Sequence, residues 1–499
     1  MQQLRRSAGV LLHISSLNGP YGLGVMGKEA RSFAEKISGM GFSCWQVLPL
    51  NPVDEKNSPY CSASAFAGNY VYIDPRGLVE QGLVEPWQAK ENEYSGTVYT
   101  ADFAFALEKR LSLLKAAYSN ITPEIRAEVE SFCKANEWVT DFALFMVCKE
   151  KNEGKVWWLW PSEYAMHENA VKKIDELKDE IGFWQFVQYE FYLQWGALKK
   201  HANSLGVKII GDMPIYVNRD SADVWSHLDL FDINPTSLAP TQVAGVPPDY
   251  FSKDGQLWGN PLYNWDKMEN EGYKWWLERI SHSLKLYDKV RIDHFRAFAS
   301  YWAVPADAET AKSGKWLNGP GMKLFDKVAQ QVPDADIIAE DLGVFGEDVV
   351  RLLEDSGFPG MRVIQFGFDP YGDSTHLPHN YPKNTVAYVG THDNNTLLGW
   401  LWEASEAERA YAMRYCGFSG DWSAGGPQSA SCRSVIETVW RSSAACAIVA
   451  FQDMCGFGSD ARMNTPGVAD GNWLFRAGDD ALGYVDGEYF KQINHIYRR

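Results

Sequence analysis

Three stretches of the 499-residue sequence place carboxylates where they could do chemistry. Residues 289–298 (KVRIDHFRAF) begin as a strand in which Val290 and Ile292 alternate with charged neighbours, so a period of two puts Arg291 and Asp293 on one face. Residues 335–343 (ADIIAEDLG) run from a short apolar stretch into Glu340 and Asp341. Residues 384–396 (NTVAYVGTHDNNT) run from a strand-like segment across Gly390 into His392 and Asp393. One acid at a strand end is ordinarily a helix cap or a solvated turn, and a lone Arg–Asp pair ordinarily fixes a strand. Three such stretches, each ending in acids at the C-terminal side of a strand, point to a shared site. Several carboxylates with no metal spacing and no phosphate loop suit the breaking of an acetal. One acid protonates the leaving oxygen, and a second carboxylate faces the carbon as it becomes cationic. Arg291 would hold Asp293 ionised, as a nucleophile requires, while Glu340, farther from a cation, would keep the proton an acid requires.

The elements that must position these acids read as alternating strands and helices. Strands are expected at 9–14, 44–48, 207–211, from 289, and at 336–340, 361–366, 385–389 and 446–451. Amphipathic helices are expected at 28–40, 274–286, 322–331, 347–356, 406–415 and 434–441. Eight buried-type strands alternating with helices predict an α/β fold, a (β/α)8 TIM barrel. Such barrels carry their active sites at the C-terminal strand ends, where Asp212, Asp293, Glu340, Asp393 and Asp453 all fall. Between 75 and 191 strand signals vanish, and helices are expected at 105–118, 122–135, 141–151 and 163–180. A further helix at 190–205 leads back to the barrel. The expected organisation is therefore 1–74 as the first part of the barrel, 75–191 as an inserted helical subdomain, and 192–499 as the remainder. That remainder includes an active-site loop region at 213–265 without clear secondary structure.

Composition narrows the class. Hydrophobic residues make up 45% and charged residues 22%, the balance of a soluble globular protein. A net charge of -17 argues against nucleic acid or an anionic membrane as partner, since both need a basic face. The eight cysteines form no CxxC pair and have no zinc spacing with histidine, so reduced, buried thiols are expected. The apolar part of the N-terminus is short and runs into an Asn-Gly-Pro turn, so it reads as a first strand rather than a signal peptide. A cytoplasmic location follows by default, or a plastid for a processed chain. The 20 tryptophans serve mainly as core, with some free to form flat platforms for sugar rings.

The three acidic stretches resemble sequence regions of the α-amylase clan. Longer matches are similar to the 4-α-glucanotransferases of glycoside hydrolase family 77, the amylomaltases or disproportionating enzymes. They are SPYCSASAFAGN (58–69), GDMPIYV (211–217), SADVW (221–225), VAGVPPDYFSKDGQLWGNPLYNW (243–265) and ARMNTPG (461–467). The resemblance spans nearly the whole chain and is weakest in the helical insertion. It implies transfer of α-1,4-glucan segments to the 4-OH of glucose or a glucan, through a covalent glycosyl-aspartate and without metal or other cofactor. Maltooligosaccharides and amylose-like glucans would be donors. By position it implies Asp293 as nucleophile, Glu340 as general acid/base and Asp393 as transition-state stabiliser. Tyr60, Asp212, Arg291, His294 and His392 would line the donor subsite, Trp258 and Asn464 would contact donor or acceptor, and Tyr250 and Phe251 would guide long glucans. Asp341 is expected just behind the site, and Asp453 has no implied role. Two other classes stay open at this point: a hydrolase of the same clan, and a non-catalytic glucan-binding barrel, which would be expected to lack one of the three acids.

Overall fold

The computed structural model describes residues 5–248, 253–343 and 346–499. Eight parallel strands form one sheet: β1 (Ser7–Leu11), β2 (Cys44–Gln46), β3 (Lys208–Met213), β4 (Lys289–Ile292), β5 (Ile337–Ala339), β6 (Gly360–Val363), β7 (Thr385–Tyr388) and β8 (Cys446–Ala450). Their order is β6-β7-β8-β1-β2-β3-β4-β5, so chain order is kept around the sheet and β1 pairs with β8. At the remaining seam no ladder runs, but the Ala339 amide donates to the Pro359 carbonyl at 2.9 Å. The sheet is thus a TIM barrel closed at one joint by little more than a single backbone bond.

Side-chain alternation explains why these residues close into a barrel. Leu11, Ile210, Ile338, Val386, Tyr388 and Ile448 point inward and form one buried cluster. Their neighbours Val10, Ile209, Ile337, Ala387 and Val449 join the larger core between strands and helices. A strand buried on both faces must be apolar throughout, as these are. Among the inward polar residues, Gln46 on β2 accepts from the Tyr388 hydroxyl at 2.9 Å, and Asp212 on β3 and Arg291 on β4 are register partners. Gly211 beside them admits no side chain, because a Cβ there would lie 2.1 Å from the Tyr287 ring.

Helices Lys274–Leu286, Met322–Gln331, Glu347–Ser356 and Glu406–Tyr415 have the expected bounds, and the other barrel helices shift by a few residues. Four expectations are corrected. The single helix expected at 163–180 is instead two four-residue turns, Ser162–Ala165 and His167–Ala170, followed by a 3-10 turn. Met166 between them is extended. The Trp225 indole takes the Tyr164 carbonyl, and His167 binds Asp141 and meets the Trp225 ring edge-on, so tertiary contacts win over helical periodicity. The helix expected from 190 begins at Lys178 and runs 27 residues to Ser204, crossing the expected boundary at 191. The long loop after β3 is not structureless. Its strands Gln242–Val246 and Gln256–Pro261 join Ser300–Pro305 and Lys315–Asn318 in a four-stranded antiparallel sheet beside the barrel mouth. Two of the partner strands lie some distance along the sequence, after β4, which hides this pairing from local patterns. The sixth strand stops at Val363 and turns into a 3-10 segment, Ile364–Gly367, rather than continuing to 366.

The long helix also positions the mouth. Buried Gln188 accepts from the Gly68 amide at 2.8 Å and donates to its carbonyl at 3.0 Å. The Phe191 ring lies where a Gly68 side chain would be. The loop 58–69 is thus clamped at its far end by the helix. All eight cysteines are free thiols. Among the described residues no helix is long and apolar enough to cross a membrane.

Candidate active site

The site is built where β3, β4, β5 and β7 end. Strand alternation aims Arg291 into the barrel mouth, 3% exposed. One guanidinium nitrogen donates to both Asp212 oxygens at 2.7 and 2.8 Å, and the other meets Asp293 Oδ1 at 2.9 Å. Burial pushes the Asp212 carboxyl upward and the arginine's charge opposes it; the Tyr60 hydroxyl donates to its other side at 2.9 Å. Removing two charges from water is costly, and this geometry offsets the cost by satisfying them mutually.

Directly after β4, His294 adopts a left-handed backbone with φ 50°. The turn aims its amide at Glu340, whose Oε2 accepts at 2.7 Å while Oε1 accepts from the Leu342 amide at 2.7 Å. Glu340 is pushed up to about 8, first by burial; the charge of Arg291 opposes this, that of Asp293 adds to it, and the two amides again oppose. The carboxyl therefore keeps its proton at neutral pH, yet its anion has two donors ready. Burial pushes the His294 ring down to about 4, leaving it neutral, with the Trp258 ring edge-on at 4.8 Å. Trp258 itself is 37% exposed, a flat apolar face at the mouth.

After β7, Asp393 is held from several directions. Asn464 Nδ2 donates to its Oδ1 at 2.6 Å, His392 Nε2 lies 3.3 Å from its Oδ2, and Arg462 donates to its carbonyl at 2.7 Å. The Asn464 amide also donates to the His392 carbonyl at 3.1 Å. The His392 ring stacks on Tyr60, centroids 5.2 Å apart at 18°.

Asp293, Glu340, Asp393, Tyr60, Asp212, Trp258, Arg291, His294, His392 and Asn464 are thus brought together at one mouth. Tyr250 and Phe251 lie outside the described residues. Asp341 turns away: it accepts from the Met361 amide at 2.5 Å and from Arg362 at 2.8 Å, bridging the seam between β5 and β6. Asp453 sits off the acid cluster, accepting from the Leu397 amide at 2.6 Å, and burial pushes it up to about 7. It lines a cavity of about 20 Å³ behind His392, room for about one water. Sequence reasoning missed Arg462 and also Trp473, whose ring lies 5.6 Å from that of Tyr60 and 5.9 Å from that of His392. Arg462 was visible only as the first charged residue of ARMNTPG; Trp473 carried no local signal. Among the described residues no three His, Cys, Asp or Glu side chains converge as metal ligands would.

Comparison with known proteins identifies the family. The family model described as 4-alpha-glucanotransferase matches residues 12–480. A 4-alpha-glucanotransferase of Clostridium butyricum is 40% identical over 499 residues, 98% of this chain and 100% of its own. One of Thermus thermophilus is 43% identical over 489 residues, 95% of each. Amylomaltase from Streptococcus agalactiae, solved in complex with acarbose, superposes with a TM-score of 0.94 at 38% identity, covering 99% of both chains. A match that leaves out so little of the chain carries the enzyme class as well as the barrel: the chain belongs to glycoside hydrolase family 77, the 4-alpha-glucanotransferases.

Proposed function

We propose that this enzyme moves α-1,4-glucan segments from a maltooligosaccharide or amylose-like donor to the 4-OH of glucose or another glucan, with retention, by two displacements at one carbon. Asp293 is the nucleophile. Its pairing with Arg291 orients one oxygen and leaves the other for the anomeric carbon. Glu340 is the acid in the first step, giving its proton to the leaving sugar oxygen; as the anion it is the base that takes a proton from the incoming hydroxyl. The amides of His294 and Leu342 stabilise that anion between the two steps. Asp393, fixed by Asn464 and His392, faces the sugar while positive charge develops. Tyr60, Asp212, His294 and His392 line the donor ring, and Trp258 offers its face to donor or acceptor.

The single observation that carries this reading is the contrast between two neighbouring carboxyls. Glu340 is buried and pushed up to about 8, while Asp293 is ion-paired. A buried carboxyl that keeps its proton, next to one held by an arginine, offers an acid and a nucleophile side by side. Free thiols throughout the chain suit a reducing compartment such as the cytoplasm.

Water competes with a sugar for the glycosyl-enzyme, so a transferase must hold its acceptor well enough to win by proximity. Incubation with maltotriose alone is expected to give glucose and a ladder of longer α-1,4 oligosaccharides at nearly constant reducing ends. A steady rise in reducing ends with nothing longer than the substrate would make the enzyme a hydrolase.

A further inference from the structure

Trp473 stands out by its backbone. It has φ 68°, the left-handed region that a bulky side chain rarely occupies. Residues kept in such conformations cost energy and persist only where their surroundings over-determine them. Here the surroundings do. The Trp473 amide donates to the Met463 carbonyl at 2.7 Å. Asn472 before it accepts from the Thr465 amide at 2.9 Å and donates to the Val468 carbonyl at 2.7 Å. The Leu474 carbonyl after it accepts from the Ala101 amide at 2.8 Å. The strained turn is therefore tied on both sides, and it folds 472–474 back on the segment that carries Arg462 and Asn464.

What the strain achieves is the placement of one ring. The indole is 8% exposed and joins the inner barrel cluster at its top, with Met463. Its centroid lies 5.6 Å from that of Tyr60 and 5.9 Å from that of His392, both at 38°. Tyr60 and His392 stack on each other, so the three rings form a triangle with Trp473 beneath. Each of the other two corners leads to a carboxylate. From Tyr60 the path is the hydroxyl to Asp212, Asp212 to Arg291, and Arg291 to Asp293. From His392 it is a direct contact with Asp393.

We propose that Trp473 is a positioning residue of the sugar site: its indole sets the ring planes of Tyr60 and His392 and, through them, the places of Asp293 and Asp393. This rests on the roles proposed above for those two acids. The ordinary alternative is that the indole only fills the top of the barrel. The two differ in what removal does. Filling alone lowers stability and leaves each folded molecule as active as before, whereas a buttress lowers turnover in molecules that are still folded.

The test compares Trp473→Phe and Trp473→Leu with the unaltered enzyme on maltotriose. The rate of α-1,4 bond breaking per folded molecule is measured well below each variant's unfolding temperature. The leucine variant is expected to lose about tenfold to hundredfold in kcat with a smaller change in KM, as a displaced reacting group would give. The phenylalanine variant, which keeps a flat ring, is expected to stay within about threefold in kcat. Each is then combined with Tyr60→Phe and with His392→Asn. Residues that act as a unit are non-additive, so the cost of the Trp473 substitution should shrink at least threefold in one of these backgrounds. Wild-type turnover per folded molecule in the leucine variant, or additive losses in both cycles, would overturn the proposal. If the leucine variant does not fold, Trp473→Met, which also removes the flat ring while keeping more of its volume, takes its place in the two cycles and decides the matter by the same criterion. Bond breaking is read whether the product is a longer sugar or a free reducing end. A failure of the transfer reaction and a failure of this inference therefore give different results.

Discussion

In the proposed reaction Glu340 loses a proton and regains it once in every turnover, and its surroundings suit both states. Burial pushes the carboxyl up to about 8, so the donating form prevails below that pH and is lost as pH rises through it. The alkaline limb of kcat/KM on maltotriose is expected near that value. In Glu340→Gln the limb should vanish along with most activity. A glycosyl fluoride, whose leaving group needs little protonation, should still load the variant, giving an adduct on Asp293 visible by intact-protein mass spectrometry and peptide mapping. An adduct on another carboxylate would reverse the roles. The shared face of Arg291 and Asp293 was legible in the sequence, because period two in a strand is a local rule. Asp341 was not. It was expected just behind the site and does point away from Glu340, but its role at the barrel seam depends on the Met361 amide and Arg362, about twenty residues along the chain. Asn464 could be placed at the site only by resemblance, since its contact with Asp393 depends on a turn folding back from more than 70 residues further along the chain.

At the scale of elements, the helix Lys178–Ser204 and the loop 58–69 form one working part. Gln188, fully buried, satisfies both backbone groups of Gly68. Gln188→Ala leaves a buried donor and acceptor unpaired and is expected to cost about 2 kcal/mol or more. Because the same loop carries Tyr60, KM for maltotriose should rise severalfold alongside the fall in unfolding temperature. A lower unfolding temperature with unchanged KM would limit the clamp to stability. The eight barrel strands could be read from apolar runs because both faces are buried. The antiparallel sheet beside the mouth could not. Its strands are short and interrupted by glycine and proline, and the ladder that joins its two halves, Gln242–Val246 with Ser300–Pro305, spans β4. The helix expected at 163–180 failed for a related reason, since Trp225 and Asp141 bind its residues from outside the segment.

For the whole molecule, several acids are buried at some cost. Glu190 on the long helix is fully buried, holds Gln81 at 3.0 Å through one oxygen, and leaves the other unpartnered. Burial pushes it up to about 7. A carboxyl raised in the folded state binds its proton more tightly there than when unfolded. Its contribution is therefore complete below the unfolded value near 4.5 and is lost as pH rises through about 7. Asp453 and Glu340 act with the same sign. Thermal stability is thus expected to decline from mildly acid to mildly alkaline pH. Glu190→Gln, outside the mouth, should flatten the decline by roughly 3 kcal/mol in order of magnitude. Unfolding temperatures at pH 5 and pH 8 check this, and an equal gain at both would show that ionisation is not the cause.

The seam between β5 and β6 has a dynamic consequence. Asp293 and Asp393 follow strands that are laddered on both sides, so their backbones are stiff in every direction within the sheet. Glu340 follows β5, which is laddered to β4 on one side and joined to β6 on the other by one backbone bond and the Asp341 bridge. Thermal breathing of the barrel is expected to concentrate at that joint, with Glu340 on its edge. In the proposed reaction the group that reaches first toward a leaving oxygen and then toward an incoming hydroxyl is thus mounted on the compliant side, and the two that hold still are mounted on the rigid one.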